Sequence, residues 1–528
     1  MTGGSPRRRG HWATLRPSLR SPQRETQLPA GRPLGDRGQL GIGASLLRLS
    51  LALAIGYGAL AAGLGYWQVM QAQQLSTDPR NPLILAAARQ APRGSIVDAA
   101  GNVLARNAGS SRREPRREYP EPAAGPVVGY RSNLFGTAGL ERTYDAQLTG
   151  LLTLRPGDEF FRKFRNDPYD PSDLVVSLDL GLQRAAARAL GDRAGAVVAI
   201  EPSTGRVLAL VSSPTFDPNR IADPDGSRSY LDQLRQRQDS PLLNRATQGQ
   251  YVPGSVFKIV TASAGIGSGA INPGTTFENQ PAEYETGFLV RGFRIRDAPR
   301  DFQTNRPLDF DEATEVSSNI WFAHAGLEIG PLQLQAWAQR FGFGDRVPFE
   351  LPTAVSQVTG GDGPLDGFED EVELANAAYG QGEVLVTPLQ MALVAATVAN
   401  GGVLMKPNLV DELRAASGAV TRLDPDAWRQ VLTSTDAQIV GDAMQQAVEG
   451  RFGRILAGAA KVPGVPTAGK SGTAQLGGQA APHSWFIGYA PADDPRIAIA
   501  VIVEHGGAGA QRAVPMAGDL LQLFLGGE

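Results

Sequence analysis

The chain has 528 residues, of which 42% are hydrophobic, so it can bury a large core. Its formal net charge is −3, so it lacks the excess of basic residues that would indicate nucleic-acid binding. At about 150 residues per domain, this length predicts roughly two to four domains. The sequence contains no cysteine, which excludes disulfides, thiolate nucleophiles and zinc–cysteine sites; its four histidines lie far apart, which argues against a histidine metal centre.

The first 48 residues differ in composition from the rest of the chain. They carry nine arginines against two acidic residues, with frequent proline and glycine and no apolar periodicity. Residues 1–48 are therefore predicted to form a disordered basic arm. Such a composition favours a solvated tail over a specific binding element.

An uncharged apolar stretch follows, from Leu49 to Val69, and it is long enough to cross a bilayer. Tyr66 and Trp67 suit the far interface, and the preceding arginines favour a cytoplasmic N-terminus. We interpret 49–69 as an uncleaved single-pass membrane anchor, with the later domains outside the cytoplasm. A cleaved signal peptide and a buried core helix are the alternatives; the long arm and its arginines argue against them.

Residues 70–173 are mixed in character and rich in proline. The segment "APRGSIVDAAGNVLARN" predicts two strands joined by a turn, a charged proline-rich loop follows, and the stretch that ends at Gly150 predicts a short helix. Because no residue here suggests catalysis, 70–173 is predicted to be a packing or spacer domain.

Residues 174–528 have the pattern of a compact α+β domain. A hairpin is predicted over 194–213, two strands at "SWFIGYAP" and "RIAIAVIVE", and a closing helix at "AVPMAGDLLQLFL". Strands at both ends with helical patterns between them indicate one sheet that joins the two ends of the domain.

The segment "YVPGSVFKIV" places Lys258 three residues after Ser255, in a chain with only five lysines. Residues i and i+3 share a helix face, so the amine can lie beside the hydroxyl. A serine hydroxyl needs an adjacent base to become a nucleophile, and a neutral lysine amine can serve, whereas arginine cannot lose its proton. Ser-x-x-Lys alone is a weak signal, since a capping serine with a surface lysine gives the same pattern.

Two further segments strengthen that signal. "VSSNIWFA" supplies Ser317 and Asn319, and "TAGKSGTAQ" supplies Lys470, Ser471, Gly472 and Thr473. Ser-x-x-Lys, Ser-Asp-Asn and Lys-Thr-Gly together are the motif set of penicillin-binding proteins and class A β-lactamases. Their counterparts occur here in that order as SVFK, SSN and KSG.

The chain resembles a class B penicillin-binding protein, a membrane-anchored peptidoglycan D,D-transpeptidase, and most of all the single-pass A-type proteins of Gram-positive bacteria. "APRGSIVDAAGNVLA" and "GTAGLERTYDAQLTG" are similar to the family's N-terminal pedestal motifs, and "NRATQGQYVPGSVFK" and "SWFIGYAP" to its transpeptidase domain. The resemblance implies a pedestal of the dimerisation type over 70–173. It also implies a penicillin-recognising domain over 174–528, with an antiparallel sheet flanked by helices and an all-helical part.

The resemblance also implies a role for each motif residue. Ser255 would attack the stem peptide, Lys258 would take its proton, and Lys470 would keep Lys258 neutral. Ser317 would relay a proton to the leaving D-alanine, and Asn319 would hold the substrate amide and Lys258. Ser471, Gly472 and Thr473 would bind the terminal carboxylate, and the backbone N–H groups of Ser255 and Thr473 would form the oxyanion hole. No metal or cofactor is implied.

Several features separate this chain from a β-lactamase. Ser318 stands where β-lactamases carry aspartate, the gap between Ser317 and Lys470 is long, and no deacylating glutamate can be identified. A D,D-carboxypeptidase or β-lactamase-like hydrolase and a non-catalytic β-lactam-binding scaffold or sensor remain alternatives. Because no glycan-polymerising domain fits before residue 174, the expected partners are stem peptides, β-lactams, a membrane glycan polymerase and other division or elongation proteins. His483, near the third motif, is interpreted as a structural or cleft-edge residue.

Overall fold

The computed structural model of the protein describes residues 42–71, 93–108, 116–150, 170–299 and 306–526. The chain divides into two compact units, 1–74 and 75–528. The predicted basic arm lies outside the described residues as far as residue 41.

In the first unit, helix α1 (Ile42–Gly65) continues into a π-helical turn (Tyr66–Met70). The helical segment Gly43–Gln68 is long and apolar enough to cross a membrane, and no part of it is buried against the rest of the described chain. The helix begins seven residues before the predicted start at Leu49, because leucines and small residues around Arg48 continue the helical pattern. An apolar helix at the predicted position is therefore present.

The second unit contains strands throughout its length, in the following order. They are β1 (Ile96–Asp98), β2 (Val103–Ala108), β3 (Arg116–Glu118), β4 (Tyr130–Ser132), β5 (Gly136–Ala138), β6 (Ser172–Val176), β7 (Gly195–Ile200), β8 (Val207–Ser213), β9 (Phe288–Val290), β10 (Phe293–Ile295), β11 (Val403–Met405), β12 (Val410–Ala415), β13 (Val420–Arg422), β14 (Ala427–Gln430), β15 (Ala468–Ala474), β16 (His483–Ala490) and β17 (Ile497–Val503).

Helices fill the spaces between these strands. They are α2 (Gly125–Val128), α3 (Leu140–Thr143), α4 (Asp145–Thr149), α5 (Leu180–Leu190), α6 (Pro218–Ala222), α7 (Ser227–Gln236), α8 (Arg245–Gln248), α9 (Lys258–Ser268), α10 (Gln280–Thr286), α11 (Phe310–Glu315), α12 (Asn319–Ile329), α13 (Pro331–Arg340), α14 (Glu371–Ala378), α15 (Pro388–Ala399), α16 (Ser434–Glu449), α17 (Gly453–Leu456) and α18 (Ala513–Gly526).

The pedestal region is organised around a mixed sheet with the order β13-β12-β6-β1-β2-β3. Strands β1 and β6 pair in parallel, and β12 returns from far along the chain to pair with β6. The boundary proposed at residue 173 therefore lies within a strand of this sheet. The predicted two-strand unit near residue 100 corresponds to β1 and β2, whereas the stretch predicted as a charged loop also contributes β3.

A buried ion cluster holds the pedestal together. The Glu141 carboxylate is fully buried and accepts from Arg93 Nε at 3.0 Å and Arg117 Nε at 2.6 Å. The two guanidinium groups hold the pKa of Glu141 below its usual value although burial alone would raise it. Removal of one partner would leave an uncompensated buried charge, which is typically destabilising by about 3–5 kcal/mol.

The larger domain is built on an antiparallel sheet with the order β15-β16-β17-β7-β8. The hairpin predicted over 194–213, the two late strands and the closing helix are confirmed as β7–β8, β16, β17 and α18. Residues near the two ends of the domain pair directly, with Val501 opposite Val197.

Both faces of this sheet are covered by helices. Alternate residues of β7 belong to different cores: Val198 and Ile200 face one cluster, and Val197 and Ala199 face the other. Helix α15 packs on the first face and α5 and α18 pack on the second. The expected α+β fold, with helices on an antiparallel sheet, is confirmed.

A helical part lies beside the free edge of β15. Helix α9 is buried along almost its whole length and packs against α12, α13 and α16. Strand β15 is the outermost strand of the sheet, so its second edge faces this helical part rather than another strand. The three sequence motifs lie where the chain enters α9, where it enters α12, and on β15.

Candidate active site

The Ser-x-x-Lys motif lies where a short 3-10 turn (Gly254–Phe257) passes into helix α9. Ser255 is in the 3-10 turn and half-buried, and Lys258 begins the α-helix and is fully buried. The helix was predicted to begin at Ser255. In the structure Ser255 lies in the 3-10 turn, and the regular α-helix begins three residues later, at Lys258.

This turn is pressed against strand β15. Gly254 has φ +58°, and a Cβ at this position would lie 2.7 Å from Thr473 O. A Cβ on Gly472 would in turn lie 3.0 Å from Pro253 O. Glycine is needed at both positions because the two backbones approach too closely for any side chain. Ser255 is thereby brought beside the Lys-Ser-Gly strand.

The amine of Lys258 is held by the middle motif. Lys258 Nζ lies 2.7 Å from Ser317 O, 3.2 Å from Ser317 Oγ and 2.8 Å from Asn319 Oδ1. A neutral amine has two N–H donors and one lone pair. It can donate to the two carbonyl oxygens while its lone pair accepts a proton from a hydroxyl.

The backbone of the middle motif is bent so that these oxygens face the lysine. Ser317 has φ +59°, a left-handed conformation that a non-glycine residue adopts only where its surroundings impose it. Ser318 then caps helix α12, its hydroxyl accepting from Trp321 N at 3.1 Å. The next residue, Asn319, enters the helix with its amide beside Lys258.

The third motif forms the middle of edge strand β15. Lys470 lies opposite Ile487, Ser471 opposite Phe486 and Thr473 opposite Ser484. The pleat of a strand sends alternate side chains to opposite faces, so Lys470 points to the other face from Ser471 and Thr473. In this arrangement the Thr473 hydroxyl accepts from Gly509 N at 3.2 Å.

Lys470 is buried without a carboxylate partner among the described residues. Its amine donates to Ser471 O at 3.2 Å, and its side chain is almost wholly shielded from solvent. Burial lowers the pKa of Lys470 to about 7. Its positive charge is therefore only partly populated at neutral pH and becomes complete under acidic conditions.

Several further residues around the motifs were not predicted from the sequence. Asp297 accepts from the Ser318 hydroxyl at 2.8 Å and from Ile320 N at 3.0 Å. Tyr251 donates to Glu504 Oε1 at 2.7 Å, four residues before the serine. No sequence signal ties either carboxylate to the site, because both pairs join residues distant in the chain.

His483 has structural contacts, in agreement with its interpretation. It is buried at the start of β16 and accepts from His505 N at 3.1 Å. Tyr251 packs against its ring edge-on. Burial and the neighbouring His505 lower the pKa of His483 to about 4, so the ring is neutral at physiological pH. Within the described residues, no group of acidic and histidine side chains is placed to hold a metal ion.

Two family models match the chain. Residues 195–522 match the penicillin binding protein transpeptidase domain, and residues 93–164 match the penicillin binding protein A dimerisation domain. This chain is a class B penicillin-binding protein. The stretch that matches the transpeptidase model includes all three motifs, and the stretch that matches the dimerisation model covers most of the pedestal region.

Two curated relatives support the assignment of this chain to the penicillin-binding proteins. The chain is 35% identical over 480 residues to the peptidoglycan D,D-transpeptidase PbpA of Mycolicibacterium smegmatis, and the match covers 88% of this chain and 94% of the relative. It is 33% identical over 517 residues to PbpA of Mycobacterium tuberculosis, covering 92% and 99%.

Solved structures show the same fold. The ceftriaxone acyl-enzyme of penicillin-binding protein A from M. tuberculosis superposes with a TM-score of 0.73 at 30% identity, covering 83% of this chain and 99% of that one. The D,D-transpeptidase domain from Eggerthella lenta superposes with a TM-score of 0.71 at 31% identity, covering 83% and 99%. The fold expected for a penicillin-binding protein is thereby confirmed.

Proposed function

We propose that the peptidoglycan D,D-transpeptidase activity of this penicillin-binding protein is of the serine type and cross-links stem peptides through an acyl-enzyme on Ser255. The observation that carries the proposal is the position of the Lys258 amine, buried and held by Ser317 O and Asn319 Oδ1 within one turn of Ser255. Such an amine is placed to act as a base for the serine hydroxyl.

In the first step, Ser255 Oγ attacks the carbonyl carbon of the peptide bond between the last two D-alanines. Its proton passes to the lone pair of Lys258 Nζ as the new C–O bond forms. The backbone N–H groups of Ser255 and Thr473 stabilise the oxyanion. A single donor of this kind contributes about 3–4 kcal/mol in other enzymes.

In the second step, the C–N bond breaks and the terminal D-alanine leaves. The proton on Lys258 reaches the leaving amine through the Ser317 hydroxyl, which lies 3.2 Å from Lys258 Nζ. The product is an ester between Ser255 and the shortened stem peptide. An amine of a second stem peptide then attacks this ester and loses a proton to Lys258. The acyl C–O bond breaks, and Lys258 returns the proton to Ser255 Oγ, which leaves a new cross-link and the free serine.

The remaining motif residues bind the end of the donor peptide. Ser471 and Thr473 offer hydroxyls to the terminal carboxylate, Gly472 lets the peptide approach the strand, and Asn319 has a second N–H for a substrate carbonyl. Lys470 adds a positive charge when it is protonated. β-Lactams resemble this end of the peptide and acylate the same serine, and water as acceptor would give carboxypeptidase side activity.

The anchor and the pedestal set where this reaction takes place. We propose a cytoplasmic N-terminal arm (1–48), one membrane pass (49–69), a pedestal (70–173) and an extracytoplasmic transpeptidase domain (174–528). In the cell, a separate membrane glycan polymerase and other division or elongation proteins would supply and organise the glycan strands.

An assay with the full-length chain in detergent tests the proposal. A stem peptide ending in two D-alanines, together with an acceptor amine, should give a cross-linked amide and one D-alanine for each cross-link. Ser255→Ala should give neither, whereas Ser268→Ala, an exposed serine at the far end of helix α9, should behave as wild type. D-Alanine release without cross-links would favour a hydrolase, and β-lactam binding without either product would favour a scaffold.

A further inference from the structure

The segment that follows hairpin β9–β10 reaches the start of helix α12. Asp297 accepts through Oδ2 from Ser318 Oγ at 2.8 Å and through Oδ1 from Ile320 N at 3.0 Å. The preceding residue, Arg296, accepts through its backbone oxygen from Asn319 Nδ2 at 3.0 Å. Three consecutive residues, Ser318 to Ile320, are thus bound by two residues from a different part of the chain.

These contacts determine which way the Asn319 amide faces. An asparagine amide can occupy its position in two orientations, which exchange a donor for an acceptor. Because Nδ2 donates to Arg296 O, Oδ1 faces Lys258 Nζ at 2.8 Å. The opposite orientation would place two donors, the amide N–H and the lysine N–H, against each other. The Asn319 orientation that receives the lysine therefore depends on the position of Arg296 O.

The carboxylate of Asp297 holds that carbonyl in position. It binds both the capping hydroxyl and a backbone N–H in the first turn of α12, where the partial positive charge of a helix start stabilises an anion. Both oxygens are used, so rotation of the carboxylate would break one of the two bonds. The adjoining Arg296 is thereby fixed against Asn319.

We propose that Asp297 is a positioning residue for acyl transfer: it orients Asn319, through Ser318 and the Arg296 carbonyl, so that the Lys258 amine is aligned with Ser255. This inference rests on the proposed function, because it gives Lys258 the role of base. The two hydrogen bonds of the Asp297 carboxylate go to Ser318 and Ile320, so the proposed effect passes through the middle motif.

The test measures β-lactam acylation of the full-length chain by stopped-flow and separates the initial binding constant from the acylation rate constant. Asp297→Ala should slow acylation by about 10–100-fold, since small misplacements of reacting groups have effects of this size. Its binding constant should change less than about threefold. Asp297→Asn retains one acceptor and should give a smaller loss of acylation. Asp179→Asn, a matched cap of the remote helix α5 that accepts from Leu182 N at 2.8 Å, should acylate as wild type.

A double-mutant comparison distinguishes positioning from general loosening of the fold. If Asp297 acts through Asn319, then Asp297→Ala added to Asn319→Ala should slow acylation by less than about twofold beyond the single change. Independent, multiplying losses would overturn the inference, and so would a folded Asp297→Ala or Asp297→Asn that acylates at the wild-type rate. If Asp297→Ala does not fold, Asp297→Asn and Ser318→Ala provide the same comparison. A wild-type chain that is not acylated at Ser255 would instead contradict the proposed function.

Discussion

Lys258 Nζ lies 2.8 Å from Asn319 Oδ1, although 61 residues separate the two in sequence. This contact joins the first turn of one buried helix to the first turn of another, beside the edge strand that carries Lys470. The Ser-x-x-Lys pattern alone does not distinguish this lysine from a surface residue, whereas the structure gives it a buried amine with defined partners. The proposed acyl transfer depends on this arrangement.

Replacement of Lys258 tests its role as the base. Lys258→Arg retains a positive charge but cannot lose a proton, so β-lactam acylation should fall by about 10²–10⁴-fold. Stopped-flow labelling with a fluorescent penicillin measures the rate. Lys461→Arg, at an exposed lysine, is the control and should leave the rate unchanged. Near-normal labelling of Lys258→Arg would contradict the assignment.

Introduction of a carboxylate at Asn319 tests the electrostatics of the same contact. Asn319→Asp places a negative charge beside the Lys258 amine and stabilises its protonated form, so the neutral base should appear only at higher pH. The midpoint of the acylation–pH profile should rise by about one to three units, the usual effect of an opposite charge at this distance. The rate measured from pH 5 to pH 10 checks the shift. An unchanged midpoint would show that the amine does not titrate in the observed step.

Lys470 should reduce the stability of the fold. Its pKa in the folded chain is about 7, below the ordinary 10.5, so protonation favours the unfolded chain. The destabilisation caused by protonating the buried Lys470 amine is absent above pH 10.5. It grows as the pH falls towards 7 and stays constant at lower pH. Lys470→Met should therefore stabilise the protein by roughly 2–4 kcal/mol at pH 7 and by little at pH 10.5.

Thermal unfolding at the two pH values measures this difference. The melting temperature of Lys470→Met should exceed that of wild type by several degrees at pH 7, and acylation should be weakened at the same time. Lys461→Met, at a half-exposed side chain, should show neither effect. A variant that melts below wild type at pH 7 would contradict the assignment of Lys470 as a destabilising buried amine.

Gly254 should tolerate no side chain. Its φ is +58°, and an added Cβ would lie 2.7 Å from Thr473 O, so Gly254→Ala should push the serine turn away from β15. We expect a loss of about 3 kcal/mol in unfolding free energy and of most acylation. Gly269→Ala has a similar φ of +75° but open space around the Cβ, and should cost only about 1 kcal/mol with normal acylation. Chemical denaturation and labelling rates compare the two, and equal losses would contradict the proposed backbone contact.

The sequence predicted the three motifs because each is a short run whose chemistry depends on local spacing. Ser255 and Lys258 are joined by helical geometry, and Ser317 and Asn319 by one capping turn. The main hairpin and the late strands were also predictable, since their apolar runs are bounded by turn residues. Roles assigned to individual site residues remain predictions.

Other features could not be predicted because they depend on tertiary contacts. Strand β15 has glycine, lysine and serine at its centre, a composition that does not favour a strand, and pairing with β16 determines its conformation. Asp297 meets Ser318, 21 positions later in the chain, only through a tertiary contact. The addition of β12 to the pedestal sheet joins segments more than 200 residues apart.

The proposed acyl transfer requires Ser255 to be the residue that carries the acyl group. Intact-protein mass spectrometry of the full-length chain after brief exposure to penicillin G, followed by peptide mapping, locates that group. We expect one adduct per chain, on the peptide that contains Ser255, and none on Ser255→Ala. An adduct on any other residue, or one that persists in Ser255→Ala, would rule out Ser255 as the nucleophile.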